Sequence, residues 1–290
     1  DSSSNGLSLL TPYYLVVAEN KDFTFNPRFY SSDKLLLQTE YRQVEKKSQF
    51  IADFSSMQEK NESSKSHLFS KLRSDIELSN FDESEISLEL QQTSNDTYLK
   101  THKLKSPLIE NSSLLVSNLG ISAYSDNLAF NINTTVYEDL SKPKSDRYEF
   151  LYPSYNVLKD FDSLRNINGN ISLNSNGFIK KYDTNIYEAV AVNDLIFNSD
   201  PKYTKKGFKN TFNILLKNIN TDSRKSENYK DTSDFKLATV FQKNISYPMK
   251  KETKNDKNIF KPKISLKYSP NKNKNLRYQD RRIDVNNIFA

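Results

Sequence analysis

The chain has 290 residues, and its 42 Lys and Arg stand against 36 Asp and Glu, so a net charge of +6 excludes disorder driven by charge repulsion. Only 36% of residues are hydrophobic, against the ~45–50% usual on a comparable count, yet 17 Tyr and 18 Phe argue for ordered structure. Cysteine is absent, which removes disulfides and thiolate metal sites, and no run approaches the ~18 apolar residues of a spanning helix. A sheet buried on one face only fits these numbers. Asp1 to Leu10 has neither the basic start nor the hydrophobic core of a signal peptide. The sequence starts without Met and stops abruptly at Ile288-Phe289-Ala290, and it reads as a fragment of a longer, processed chain.

The first organised stretch is Thr11 to Tyr30, TPYYLVVAENKDFTFNPRFY. In its second half Phe23, Phe25, Pro27 and Phe29 fall on one side and Asp22, Thr24, Asn26 and Arg28 on the other, the period of two that marks an extended strand. Tyr13 to Ala18 forms a shorter apolar run, and Glu19 and Asn20 are enough for a tight reversal between the two. The result is a predicted β-hairpin with Pro12 near its entry and Pro27 inside its second strand. A proline donates nothing to a ladder, so such a hairpin is poorly zipped.

The same alternation then repeats. Leu35, Leu37, Thr39 and Tyr41 oppose Leu36, Gln38, Glu40 and Arg42; Phe50, Ala52 and Phe54 oppose Gln49, Ile51 and Asp53; Ile86, Leu88 and Leu90 oppose Glu85, Ser87 and Glu89. Leu128 to Val136 alternates too, followed by runs over 171–180, 186–195, 208–218, 235–241 and 260–268. Each lasts roughly 8–12 residues, the length a tilted strand needs to cross a bilayer. His67–Ser79 fits helical spacing as well as a strand, and Lys142–Leu164, with Pro143 and Pro153, reads as a loop with one strand inside. The polar stretches Gln58–Ser66, Asn220–Ser233 and Lys250–Asn258 read as loops. No composition break marks a second domain.

Catalytic chemistry is hard to find. His67 and His102 sit alone in polar surroundings and read as solvated residues rather than ligands or bases. Asp82, Glu83 and Glu85 make a charged turn, and the Lys-rich stretch Lys250–Lys274 a solvated loop. GxSxG, P-loop and GxGxxG patterns are missing, no Ser–His pair stands out, and the basic residues are too dilute for a nucleic-acid stripe. Nothing here argues for an enzyme, and no cofactor is implied.

Two architectures accommodate so many strands. A soluble or surface-attached β-rich binding module, such as a carbohydrate-binding sandwich, would leave Asn, Lys, Glu and Arg unpaired in its core at ~1–3 kcal/mol each. An antiparallel transmembrane β-barrel of the outer-membrane type, with a wet lumen and a lipid-facing wall, needs this pattern and leaves no edge in lipid. An ordinary porin-type barrel keeps that fold without a gate.

The residues of the first hairpin go further. The opening of the barrel in the lipopolysaccharide-assembly outer-membrane protein family (LptD/OstA) has a Pro-Tyr-Tyr run, a turn after an Asn, an Asp-x-Thr strand and a second proline. Pro12, Tyr13, Tyr14, Asn20, Asp22, Thr24 and Pro27 resemble it. Lys34–Arg42 resembles the strand that follows. Tyr247-Pro248 and Pro262 with Ile264–Tyr268 resemble a paired proline-bearing stretch midway round the barrel, and Ile283–Phe289 the segment after it. The resemblance covers roughly the first half of the family's barrel: residues 1–11 would end a linker from a missing periplasmic domain, and 12–290 would form a partial barrel.

What the resemblance implies is lipopolysaccharide transport. A periplasmic bridge protein (LptA-like) would hand the lipid over through the missing domain, and a plug lipoprotein (LptE-like) would sit in the lumen. Release to the outer leaflet would occur through a lateral gate beside Pro12 and Pro27, each deleting a ladder hydrogen bond next to the seam. Tyr13, Tyr14, Thr24, Asn26 and Arg28 would face the lumen, with Phe23, Phe25 and Phe29 on lipid. Some relatives tie barrel to periplasmic domain with disulfides, and this segment offers no cysteine for that.

Overall fold

A run in which every second residue is apolar cannot bury a helical stripe, but once extended it puts all its apolar side chains on one side. The computed structural model builds strands almost throughout, and it describes residues 6–59, 63–161, 168–253, 256–271, 274–275 and 282–283. In chain order these are β1 (Ser8–Leu10), β2 (Tyr13–Ala18), β3 (Lys21–Tyr30), β4 (Leu35–Val44), β5 (Ser48–Gln58), β6 (Lys65–Asp75), β7 (Glu83–Thr93), β8 (Leu114–Ser125) and β9 (Leu128–Asp139). There follow β10 (Tyr148–Phe161), β11 (Gly169–Tyr182), β12 (Ile186–Ser199), β13 (Lys202–Tyr203), β14 (Lys209–Arg224), β15 (Asp234–Ser246), β16 (Met249–Glu252), β17 (Lys257–Phe260) and β18 (Lys263–Tyr268). One helical turn, α1 (Tyr98–Thr101), lies between β7 and β8. Among the described residues no helix is long and apolar enough to cross a membrane.

The protein is all-β and antiparallel. Of His67–Ser79, the part up to Asp75 is strand, in β6 (Lys65–Asp75), and 76–79 are not; among the described residues of the 142–164 stretch, β10 is the one strand. Several strands outrun the expected length: β10, β11 and β12 have 14 residues each and β14 has 16. The segment Ile283–Phe289 lies outside the described residues beyond Ile283.

The chain groups into two compact units. The first comprises Asp1–Ser125, Asn131–Pro153 and Lys180–Asn185. Within it β3 through β8 pair in chain order, each with the next. The registers carry the sequence alternation across the sheet, because directly opposed residues share a face. On one face Asn26 opposes Gln38, Glu40 opposes Asp53, Ser55 opposes His67 and Lys71 opposes Glu89. On the other, Phe25 opposes Thr39, Leu35 opposes Gln58, Phe54 opposes Leu68 and Leu72 opposes Leu88. One face is thus largely polar and the other largely apolar, with Phe54, Leu68 and Leu88 exposed.

The core of this unit lies on the polar face. The connection between β7 and β8 folds back over it, and Tyr98, Leu99, Leu104 and Leu108 from that connection bury against Leu36, Met57 and Phe69 of the strands.

The second unit comprises Asp126–Phe130, Ser154–Ile179 and Ile186–Ala290. Here β12 pairs with β14, β14 with β15 and β15 with β18, and Leu215, Ala238 and Val240 form a small core with Ile196. Among the described residues β1 and β18 end the strand order, each paired on one side only.

Candidate functional site

The first arm of the hairpin is a single edge strand broken in the middle. Leu10 opposes Arg28 and Tyr13 opposes Phe25, so β1 and β2 keep one common register along β3 as far as Val16, after which a bulge shifts it. The break falls at Thr11 and Pro12. Thr11 N–H donates to the Pro27 carbonyl at 3.1 Å. In an antiparallel ladder such a pair exchanges two bonds, and Pro27 has no N–H to return the second.

Pro12 behaves differently from expectation. Ser31 N–H bonds the Leu7 carbonyl on this ladder, so the odd residues of the edge face β3 and the even ones turn away. Pro12 therefore removes no bond to β3. What it removes is a donor from the outer edge, between the outward-facing groups of Ser8 and Leu10 and those of Tyr14 and Val16. Among the described residues no strand pairs with that side. The edge is also apolar on both faces, with Leu9, Tyr13, Tyr14, Leu15 and Val16 all exposed.

The Glu19-Asn20 turn closes the hairpin as predicted, and Asn20 fastens it to the next connection by donating to the Val44 carbonyl at 3.0 Å. Thr24, Asn26 and Arg28 share the polar face, and Phe23, Phe25 and Phe29 the apolar one. Phe29 is exposed, and Pro27 is buried. Tyr13 and Tyr14 do not share a face. Neighbours in a strand alternate, so Tyr14, opposite Thr24, joins the polar side, while Tyr13, opposite Phe25, joins the apolar side. The two proline-bearing stretches near the other end do meet: Tyr247 N–H donates to the Pro262 carbonyl at 3.0 Å.

Sequence reading missed a second cluster. His67 and His102 are buried, not solvated. His67 Nδ1 lies 2.7 Å from Ser55 Oγ, and its Nε2 lies 3.2 Å from Asp53 Oδ1. Gln38 Nε2 donates to both Asp53 oxygens, at 3.1 and 3.0 Å, and to the Lys105 carbonyl at 2.9 Å. Tyr98 OH and Ser55 Oγ are 2.8 Å apart. A Ser–His pair is therefore present after all. Ser55 and Asp53 are 0% exposed and His67 1%, and the Ser55 oxygen is held by two partners. A nucleophile has to meet its substrate, so this row fastens the connection from β7 to β8 onto the sheet.

His102 forms a second fastening. Its carbonyl accepts from Arg28 Nη1 at 2.8 Å, and its Nδ1 lies 3.2 Å from Tyr30 OH. Burial holds the His102 imidazole below its ordinary pKa, and the charges of Lys34, Lys65 and Arg28 add to this while Glu59 opposes it. Burial likewise pushes the Tyr98 phenol up to about 12, against the hydrogen bond to Ser55. Farther along, Gln91 Nε2 donates to the Leu108 carbonyl at 2.8 Å, and Arg147 Nη2 reaches Asp96 at 3.0 Å. No protein-family model matches this chain, and no curated protein is significantly similar to it.

Proposed function

We propose that this chain forms part of the wall of an outer-membrane β-barrel that delivers lipopolysaccharide to the outer leaflet, with the β1–β2 edge serving as one lip of a lateral gate. The observation that carries the reading is the meeting of Pro27 with Thr11, beside Pro12, on an exposed apolar edge strand. A seam able to part is helped by a missing backbone bond within it and continuous pairing behind it, and β3 pairs with β4 from Lys21 to Phe29 behind the broken edge. The separation of polar and apolar faces and the 10–16-residue lengths of β3–β12, β14 and β15 support a membrane wall with a wet interior.

In this reading Thr24 and Asn26 line the lumen, Phe23, Phe25 and Phe29 meet lipid, and the chemistry is transport rather than catalysis. A plug lipoprotein and a periplasmic bridge protein are the expected partners. The β7–β8 connection already occupies part of the face assigned to the lumen, so a plug partner would dock beside it rather than fill the space alone.

The reading is tested by placing single cysteines at positions 23 to 27 of the protein expressed in a Gram-negative cell. A water-soluble maleimide applied to intact outer membranes should label 24 and 26 strongly and 23, 25 and 27 weakly. Uniform labelling, or a product that stays in solution without detergent, would defeat it.

A further inference from the structure

The second unit carries an open groove of about 690 Å³ on the sheet formed by β12, β14, β15 and β18. Its floor follows from register. Phe197 opposes Ile214, Ile214 opposes Phe241 and Phe241 opposes Tyr268, which gives one continuous apolar row across four strands. Three strand spacings make that row roughly 14 Å long. The next row on the same face brings Phe212 opposite Lys243 and Lys243 opposite Leu266.

The charge at this groove has one sign. Lys202, opposite Asn210, and Lys243 lie on this face, while Lys267, opposite Gln242, turns to the other face; none of the lining residues is a carboxylate. The Lys243 ammonium lies 5.4 Å over the Phe212 ring, so the side chain lies along the apolar floor with its charge at the floor's surface. The volume falls in the range of small-ligand sites, ~300–1,000 Å³. An apolar floor with cations at its margin suits a molecule that is greasy along one end and anionic at the other.

We propose that this groove binds one anionic phospholipid, an acyl chain lying along the Phe197–Ile214–Phe241–Tyr268 row and the phosphate held by Lys202 and Lys243. The site is independent of the β1–β2 edge and of the transport reading, since it depends only on side chains of the second unit. Lysine recognises phosphate as a point charge rather than by a forked geometry, so the site selects for the charge of the headgroup and not for its shape.

The test is native mass spectrometry of the full chain in neutral detergent, titrated with dioleoylphosphatidylglycerol, dioleoylphosphatidylcholine or inorganic phosphate. One phosphatidylglycerol should be retained in preference to phosphatidylcholine. The Lys202→Gln/Lys243→Gln double variant should lower that retention by about tenfold or more, with phosphatidylcholine unchanged, since each lost charge-assisted contact is a substantial part of such a preference. Phe241→Ser should lower the retention of both lipids. Equal retention of the two lipids, or an unaltered double lysine variant, would mean unselective lipid coating and overturn the proposal. Displacement of phosphatidylglycerol by inorganic phosphate would overturn the acyl row and leave a bare anion site. A gate failure under maleimide labelling leaves this result unaffected, so the two readings fall separately.

Discussion

Thr11 and Pro27 face each other across the first ladder of the sheet and share one hydrogen bond, Thr11 N–H to the Pro27 carbonyl at 3.1 Å, where an ordinary pair would share two. Pro12, the next residue along, turns its nitrogen to the outer edge. The two prolines thus do different work. Pro27 loosens the edge strand from β3, and Pro12 hinders any strand that would add to the outside.

That division gives the two prolines separable phenotypes. Pro27→Val restores the missing donor and should tighten the edge by ~0.5–1.5 kcal/mol, seen as slower amide exchange at Thr11 and Tyr13. Pro12→Val should leave exchange toward β3 unchanged but complete a flat apolar edge, so the purified chain should associate edge to edge. Identical behaviour of the two variants would contradict the register argument.

The buried row under the β7–β8 connection should dominate the stability of the first unit. Asp53→Ala takes away the acceptor of three hydrogen bonds from His67 and Gln38 in a dry site, at ~1–3 kcal/mol for each group left unpaired. Ser55→Ala leaves the Tyr98 hydroxyl and one histidine nitrogen unpaired, a smaller loss of ~1–3 kcal/mol. Denaturant unfolding of the full chain in detergent ranks them. Finding Ser55→Ala the more damaging would show that the carboxylate is not the anchor.

Much of the fold is legible in the sequence because a strand writes its faces directly into period two. Phe50, Ala52 and Phe54 against Gln49, Ile51 and Asp53 is the arrangement the sheet displays. The Glu19-Asn20 turn is legible for the same local reason. The buried cluster is not. Asp53, Ser55 and His67 look like ordinary wet-face residues, and they are dry only because Tyr98, Leu99, Leu104 and Leu108 arrive from a connection with no periodicity. The one signal available was four large apolar residues in a stretch that otherwise reads as loop. Tyr13 and Tyr14 illustrate a different failure. Their grouping came from resemblance, and pleat geometry forbids two neighbours from sharing a face.

The connection should come loose before the sheet does. Leu99 is 1% exposed, and Leu99→Ala removes buried methyl groups worth ~2–5 kcal/mol of packing. Limited proteolysis should then cut between 94 and 113 while the strands stay intact. Arg28→Ala, which frees the His102 carbonyl, should expose the same segment to a lesser degree.

Acid should loosen the same segment through His102. Its imidazole titrates below its ordinary 6.5 when seated, chiefly because burial disfavours the charged form. A released connection returns the group to its ordinary value, so the released state binds more protons and gains as pH falls below 6.5. The seat is therefore at full strength above 6.5 and weakens on acidification until the seated histidine itself protonates. The groups facing it, Tyr30, Arg28, Lys34, Lys65 and Glu59, give three fixed positive charges against one carboxylate, which keeps the direction the same throughout. Protease sensitivity between 94 and 113 should rise between pH 7 and 5 in the wild type and stay flat in His102→Gln. Tyr98 sets the opposite limit. Its phenol, held up to about 12 by burial, adds stability that is complete below the ordinary 10.0 and is lost as pH rises from there through 12. Tyr98→Phe should remove that alkaline loss without touching the acid one, which separates the two fastenings on a single pH profile.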